Sequence, residues 1–189
     1  MKINEKKLDL RVARTHKLLI TAFRDLLSEQ GKLFSNITIN EICDKAMVHR
    51  TTFYKHFEDK FALLSATLTW VLQDYLQMSI EDRLRQPLQS LSRFMLENLL
   101  EPIVQNQKND KGFTDFFKNY IGDISRRDFL ELKRRGKPFS PPIELLAEYH
   151  SGVISLLVTW WIYHLEEDVT AGQMDEYYYQ MVNEKIMLD

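Results

Sequence analysis

Cysteine is almost absent: Cys43 is the only one in 189 residues. A single thiol excludes an internal disulfide and any metal site built on several cysteines. Its position on the apolar side of a short helical stretch fits a small core residue better than a reactive thiol. Chain breakers are scarce too. Six glycines and five prolines favour long helices over many short strands. No apolar segment opens the chain, since residues 1–14 are charged throughout, and no secretory signal is visible. The longest uncharged run lies between Glu148 and Glu166 and holds two His, two Ser, a Thr and a Gly. It falls short of the roughly 20 apolar residues that a membrane span needs, so a buried helix and a cytoplasmic protein are expected. Also missing are a glycine-rich phosphate loop, a nucleophile motif, a carboxylate pair set apart by its surroundings, and a His/Asp/Glu cluster with metal spacing. Neither an enzyme nor a cofactor is expected.

What is present is apolar and unevenly charged. With 44% hydrophobic residues and 12% aromatics the chain can build a sizeable core as one ordinary domain or two small ones. The net charge of −2 hides an asymmetry: residues 1–65 carry 12 Lys/Arg against 8 Asp/Glu, and the remaining 124 carry 13 against 19. A basic N-terminal part on an acidic remainder fits a nucleic-acid-binding module on a body that does not touch DNA. A solvated surface produces the same imbalance.

Residues 38–64, TINEICDKAMVHRTTFYKHFEDKFALL, read as two short helices joined by a tight turn and the start of a third. Thr38 and Glu41 have capping-box spacing, in which the hydroxyl takes the main-chain N–H three residues on and the carboxylate reaches back. Ile39, Ile42 and Ala46 give the first helix one apolar face. Met47-Val48 is too short for anything but a turn. The second helix, about His49 to His56, turns Phe53 inward and Arg50, Thr51, Tyr54 and Lys55 outward. That is helix-turn-helix geometry, with a second helix shaped for a major groove.

The stretch AMVHRTTFYKHFEDKFALL resembles the recognition region of TetR/AcrR-type bacterial transcriptional regulators. Their pattern is roughly Ala-Gly-Val-Ser, a few variable residues, Thr-Phe-Tyr-x-His-Phe, then Lys and Leu. Thr52, Phe53, Tyr54, His56, Phe57, Lys60 and Leu63 or Leu64 match in register. Two positions depart: Met47 stands at the usual turn glycine and His49 at the usual serine. Glycine adopts positive φ cheaply and methionine does not, so the turn either differs in shape or carries strain. The change at His49 leaves the usual N-cap contact and the operator preference open. The resemblance covers about residues 10–66. It implies an all-α fold of two parts: a helix-turn-helix DNA-binding domain over 1–57, continuing into a linking helix at 58–66, and a C-terminal effector-binding and dimerisation domain over 58–189.

The remaining chain supports about nine helices and no convincing strand. Lys2, Lys6, Lys7, Arg11 and Arg14 form a basic arm that either follows phosphates or a minor groove or is a frayed terminus. From about Leu10 to Gln30, Val12, Leu19, Phe23 and Leu26 keep helical spacing, and Gly31 is a natural stop. Glu58-Asp59 start a helix expected to reach roughly Arg83. Pro87 fits the first turn of a helix to about Gln107 with a kink near Pro102. Asn106 to Gly112 reads as a polar loop. Phe113 to Ile121 and Ser125 to Arg135 read as two short helices, and Lys133-Arg134-Arg135 suits a helix C-terminus. The helix from Ser140 to about His164 is apolar on more than one face, hence buried on most sides. Thr170 and Gln173 form a second capping box, and Met174, Tyr177/Tyr178, Met181 and Met187/Leu188 repeat along the last helix.

Individual roles follow. His49, Arg50, Thr51, Thr52 and Lys55 are candidates for the groove-facing surface. Arg50 suits a bidentate contact to guanine, and Thr51 a hydroxyl partner or a thymine methyl. The resemblance adds Thr38, Tyr54, His56 and Lys60 as phosphate contacts. Against these stand a pure cap for Thr38, packing beside the core for Tyr54 and an internal hydrogen bond for His56. Lys60 is electrostatically unsuited to a helix N-terminus, and a phosphate lying against that helix end would supply the reason for it. Trp70, Phe94, Phe113, Phe116, Phe117 and Tyr120 line either a ligand pocket or the core. His150 and His164 fit core or interface positions. Surplus apolar surface on the last two helices points to a dimer interface through Leu156, Trp160, Tyr163, Tyr177, Tyr178 and Met181. The expected protein is a homodimeric regulator, a repressor on a near-palindromic double-stranded operator, controlled by a small-molecule effector. The alternative is a DNA-binding adaptor whose body docks a protein co-regulator.

Overall fold

The computed structural model describes residues 10–97, 100–164 and 168–182, with the side chains of 93–97 outside that set. Lys2, Lys6, Lys7, Met187 and Leu188, and the side chain of Phe94, therefore lie outside the described residues. Those described form eleven α-helices and one short 3₁₀ turn. The expectation of about nine helices differs because two long segments are divided otherwise than their sequence suggests.

The N-terminal unit is α1 (Leu10–Ser28), the 3₁₀ turn Phe34–Asn36, α2 (Ile39–Ala46), α3 (Arg50–His56) and α4 (Lys60–Val71). α1 packs against α2, α3 and α4. Leu19, Phe23 and Leu27 enter a core with Phe34, Ile37, Ile42, Cys43, Phe53, Phe57, Leu63 and Leu64. Burial raises the Cys43 thiol above its ordinary value, the behaviour of an inert core thiol. Phe34 and Ile37 plug this core from the connection between α1 and α2, as their apolar character predicts.

Beyond α4 come α5 (Gln73–Gln77), α6 (Ile80–Arg85), α7 (Pro87–Glu97), α8 (Leu100–Gln107), α9 (Lys111–Arg134), α10 (Ile143–Tyr163) and α11 (Ala171–Met181). The single helix expected from Glu58 to Arg83 is broken at Leu72 and again at Met78-Ser79. Ser79 caps α6 through Asp82 N–H. Arg83 then folds back, with Nη1 donating to the carbonyls of Tyr75, Leu76 and Met78 at the end of α5. A break in a buried helix is tolerable because these freed carbonyls find a donor. The rest of the guanidinium forms a buried fork on Asp128 of α9, at 2.6 and 3.0 Å.

Conversely, residues 111–134 form one helix where two were expected. Gly122 does not break it, because α9 crosses α10 closely there: a Cβ at Gly122 would lie 3.4 Å from Ser151 Oγ. The polar segment from Asn106 is not all loop either, since α8 continues to Gln107 and only residues 108–110 connect it to α9. At the end of α9, Arg134 and Arg135 pair with Glu131. α10 begins earlier than the uncharged run and, at 21 residues, meets the length and hydropathy of a membrane crossing. Nine of its side chains are buried, as a core helix requires. His150 is one of them. Burial pushes its imidazole down to about 4, Nδ1 lies 2.8 Å from Ser125 Oγ, and Nε2 has no partner among the described residues. Asp175 of α11 accepts from the N–H groups of Leu88 and Gln89 and so caps α7 from across the fold. The second capping box, Thr170 with Gln173, forms in both directions.

The turn between α2 and α3 resolves the Met47 question. Met47 is left-handed, φ 53° and ψ 43°, and its side chain is 88% exposed. The turn therefore keeps the shape a glycine would give it and carries a β-carbon there at a cost. Replacing Met47 by Gly should stabilise the protein by about 1 kcal/mol, the order of the left-handed penalty, read as a higher urea midpoint at unchanged slope. Asp128→Ala should instead destabilise by about 3–5 kcal/mol by stranding a buried guanidinium. The double variant Arg83→Met/Asp128→Leu should recover only part of that loss in the same measurement, because the carbonyls of Tyr75, Leu76 and Met78 lose their donor as well.

Candidate nucleic-acid interface

The start of α2 is fixed by a three-residue cluster. Thr38 Oγ1 accepts from Glu41 N–H, while Glu41 Oε2 accepts from Thr38 N–H at 2.8 Å and from its hydroxyl at 2.9 Å. Lys32 lies 2.8 Å from the other carboxylate oxygen. Lys32 first, and the Thr38 donors after it, hold the Glu41 carboxyl down to about 2. The Thr38 hydroxyl proton is thus engaged within the capping box, so of the two readings of this residue the geometry favours the cap.

α3 carries the outward face. His49 is its N-cap by backbone conformation, but its side chain makes no capping bond. His49, Arg50, Thr51, Tyr54 and Lys55 are exposed, Thr52 and His56 half-buried, and Phe53 fully buried. Phe53 is the anchor that fixes which face points out. Arg50 is held ready: Nη1 donates to Asn40 Oδ1 at 3.3 Å, Nη2 donates to the Tyr54 hydroxyl at 3.1 Å, and the guanidinium lies over the Tyr54 ring. These contacts are exposed and exchange readily for a base edge. His56 meets His16 edge-on at 5.0 Å, and His16 in turn packs on Phe57. Burial, and then the neighbouring His56, lower the His16 imidazole.

Lys60 is a correction. Its ammonium donates to the carbonyls of Phe34, Ser35 and Ile37, at 2.9, 3.2 and 3.0 Å, and sits over the Phe34 ring. All three donors serve the main chain of the α1–α2 connection, so the charge unsuited to a helix N-terminus has an internal reason. It is not available as a phosphate contact in this geometry.

The same connection is held from the body by residues that the sequence did not single out for this role. Gln107 is fully buried; its NH₂ donates to the carbonyls of Leu27 and Lys32, and its Oε1 accepts from Phe34 N–H at 2.7 Å. Asn106 donates to Leu27, Glu29 and Lys32 and accepts from Gly31 N–H. Asp110 accepts from the N–H and the hydroxyl of Ser35. Burial would raise its carboxyl, but the donors on Ser35 and Phe113 outweigh this and lower it. Polar residues in a polar stretch carry no sequence signal for partners more than seventy positions away. Asn40 was likewise missed.

The body holds an apolar cavity of about 60 Å³ between α7, α8, α9 and α10. Of the residues expected to line a pocket, Phe113 and Phe117 do. Phe116 turns instead to Phe61, Tyr120 to Thr69 through its hydroxyl, and Trp70 to Arg24. Of the residues expected at a dimer interface, Leu156 is 60% exposed, Tyr163, Tyr177 and Met181 are exposed, and Trp160 is half-buried on His164. Tyr178 is a correction: at 1% exposure it belongs to the core of the body, edge-on to His150. Leu145 and Tyr149 extend the exposed apolar stripe of α10.

Comparison with known proteins bears on this arrangement. Residues 19–67 match the family model of the bacterial regulatory proteins, tetR family. Over 64 residues the chain is 41% identical to YxbF of Bacillus subtilis strain 168, an uncharacterised HTH-type transcriptional regulator, a match that spans 34% of this chain and only 17% of that protein. Over 175 residues it is 22% identical to DhaS of Lactococcus lactis, the transcriptional activator of the dhaKLM operon, covering 89% of this chain and 87% of that one. In fold it is similar to a TetR transcriptional regulator from Streptococcus agalactiae, with TM-score 0.61 at 22% identity over 92% of this chain and 96% of the other. Residues 19–67 thus match the tetR family of bacterial regulatory proteins, and the chain as a whole is similar in fold to TetR transcriptional regulators.

Proposed function

We propose that the protein binds a near-palindromic double-stranded operator as a homodimer in the cytoplasm, with residues 1–57 as reading domain and 58–189 as effector and dimerisation domain. The observation that carries this reading is the outward face of α3, where Arg50 sits in the first turn on weak, exposed contacts while Phe53 is locked in the core. Arg50 exchanges Asn40 and Tyr54 for the O6 and N7 of a guanine, and Thr51 meets a neighbouring base. Tyr54, Lys55, His56 and His49 fix the register on phosphates. Two such heads, related by a twofold axis, read two half-sites. The exposed stripe of α10, Leu145, Tyr149, Leu156 and Tyr163, joined by Tyr177 and Met181 of α11, supplies the self-complementary surface for that axis. Repression by occupying a promoter is the simplest outcome of such binding.

A second reading concerns the signal. The cavity of about 60 Å³ is well below the roughly 150 Å³ of an engineered dry cavity that binds benzene. A body with so little free space favours a protein co-regulator, or an effector that opens the cavity as it binds. The likeness to an operon activator over most of the chain fits activation as well as repression.

Selection of bound duplexes from a random pool, at near-physiological salt, should enrich a near-palindrome; a folded dimer that enriches nothing would overturn the operator reading. On the enriched site Arg50→Ala should lose about 1–3 kcal/mol of binding and relax discrimination at one position, with an unchanged melting temperature. Leu156→Glu should convert the dimer to a monomer in light scattering, and a dimer of unchanged affinity would remove α10 from the interface.

A further inference from the structure

We propose that Asn106, Gln107 and Asp110 are positioning residues for the DNA-reading head, and that the state of the body cavity reaches the head through them. This rests on the DNA-binding reading above and specifies its regulation. The two faces of α8 carry the inference. Leu100, Val104 and Lys108, four residues apart, line the cavity. Ile103 and Gln107, four apart on the other side of α8, and Asp110 at the N-cap of α9 meet the head: Ile103 enters its core, and Gln107 and Asp110 hold its main chain. Across the short link, α9 repeats the arrangement. Phe113 lines the cavity and is also buried in the core of the head, 6.4 Å from the Phe34 ring. At Gly112 the body comes so close that a Cβ would lie 3.3 Å from Asp110 Oδ1 and 3.4 Å from Ser35 Oγ.

One corner of chain, residues 103–113, is therefore cavity wall on one side and main-chain clamp on the other. Anything that fills or widens the cavity displaces its walls, α8 and the start of α9 among them, because packed interiors do not deform locally without moving their neighbours. The displacement is felt at the carbonyls of Leu27 and Lys32 and the N–H groups of Phe34 and Ser35. Those groups sit between the end of α1 and the Thr38 cap of α2, so the orientation of α2 and α3 follows. The corner acts beside the linking helix α4, whose first residue, Lys60, grips the same connection from the opposite side.

The test is a thermodynamic cycle on the full-length dimer. Ser155→Trp fills the cavity from α10; Asn106→Leu/Gln107→Met cuts the clamp while keeping its bulk. Ser155→Trp should weaken binding to the selected operator about ten-fold in the intact protein, a typical coupling, and leave affinity unchanged once the clamp is cut. Equal weakening in both backgrounds, or none in either, overturns the proposal. Hydrogen exchange without DNA gives an independent reading that survives failure of the operator selection. In Ser155→Trp the amides of Phe34 and Ser35 should lose protection while those of Leu19 to Leu27 keep theirs; unchanged protection at Phe34 and Ser35 counts against the corner. If Ser155→Trp fails to fold, Thr114→Phe fills the same cavity from α9 and is read in the same way. Gln107→Met alone should lower operator affinity with the dimer retained, at a lowered melting temperature because Phe34 N–H and the carbonyls of Leu27 and Lys32 lose a partner; full affinity in that variant contradicts the positioning role.

Discussion

The connection between α1 and α2 is anchored in the core at Phe34 and Ile37, and apart from one 3₁₀ turn it has no regular helix or strand to pair its main chain. Buried peptide groups that lack partners cost about 1–3 kcal/mol each, so the fold depends on side chains that come to this segment as substitutes. Lys60 supplies three donors from the start of α4. Gln107 and Asn106 supply amides from the end of α8, and Asp110 supplies acceptors from the link to α9. Three parts of the chain, far apart in sequence, meet at one irregular strip. The position of α2, and through it of α3, is set there.

The parts of the fold governed by neighbours a few residues apart were legible. The capping boxes at Thr38/Glu41 and Thr170/Gln173 and the inward turn of Phe53 follow from spacing and from what each side chain can do within one helical turn, whereas the shape of the turn at Met47 was left open until the structure gave it as left-handed. Distant partners governed the rest. The break at Met78-Ser79 depends on Arg83 returning to the carbonyls behind it with Asp128 as its anchor, and the local sequence there reads as good helix. The two short helices expected between Phe113 and Arg135 are one, and Gly122 within it lies against α10. For the aromatic run on α9, periodicity separates Phe113 and Phe117 from Phe116 and Tyr120 but does not say which side is cavity and which is linking helix.

The site itself divides in the same way. Arg50, Thr51, Tyr54 and Lys55 were identifiable because the amphipathic pattern around Phe53 fixes the outward face. Lys60 was assigned by likeness to phosphate, whereas its charge serves the strip just described. Tyr177 and Tyr178 are adjacent and chemically identical, yet a turn of about 100° per residue sends one to the surface and the other to the core. Nothing in composition distinguishes an apolar face turned to the body's own interior from one turned to a second copy.

The shared core has a bearing on how such a protein can be divided. Ile103 and Phe113 belong to the body by sequence and to the head by packing. A fragment ending at the linking helix would expose the ring of Phe34 and leave the carbonyls of Leu27 and Lys32 with water in place of Gln107. The reading head is thus not a portable unit. A transplant that exchanges DNA specificity between relatives has to carry the α8–α9 corner with it, or re-create its amides in the host, and recombination between such genes at the linking helix would be selected against for the same reason.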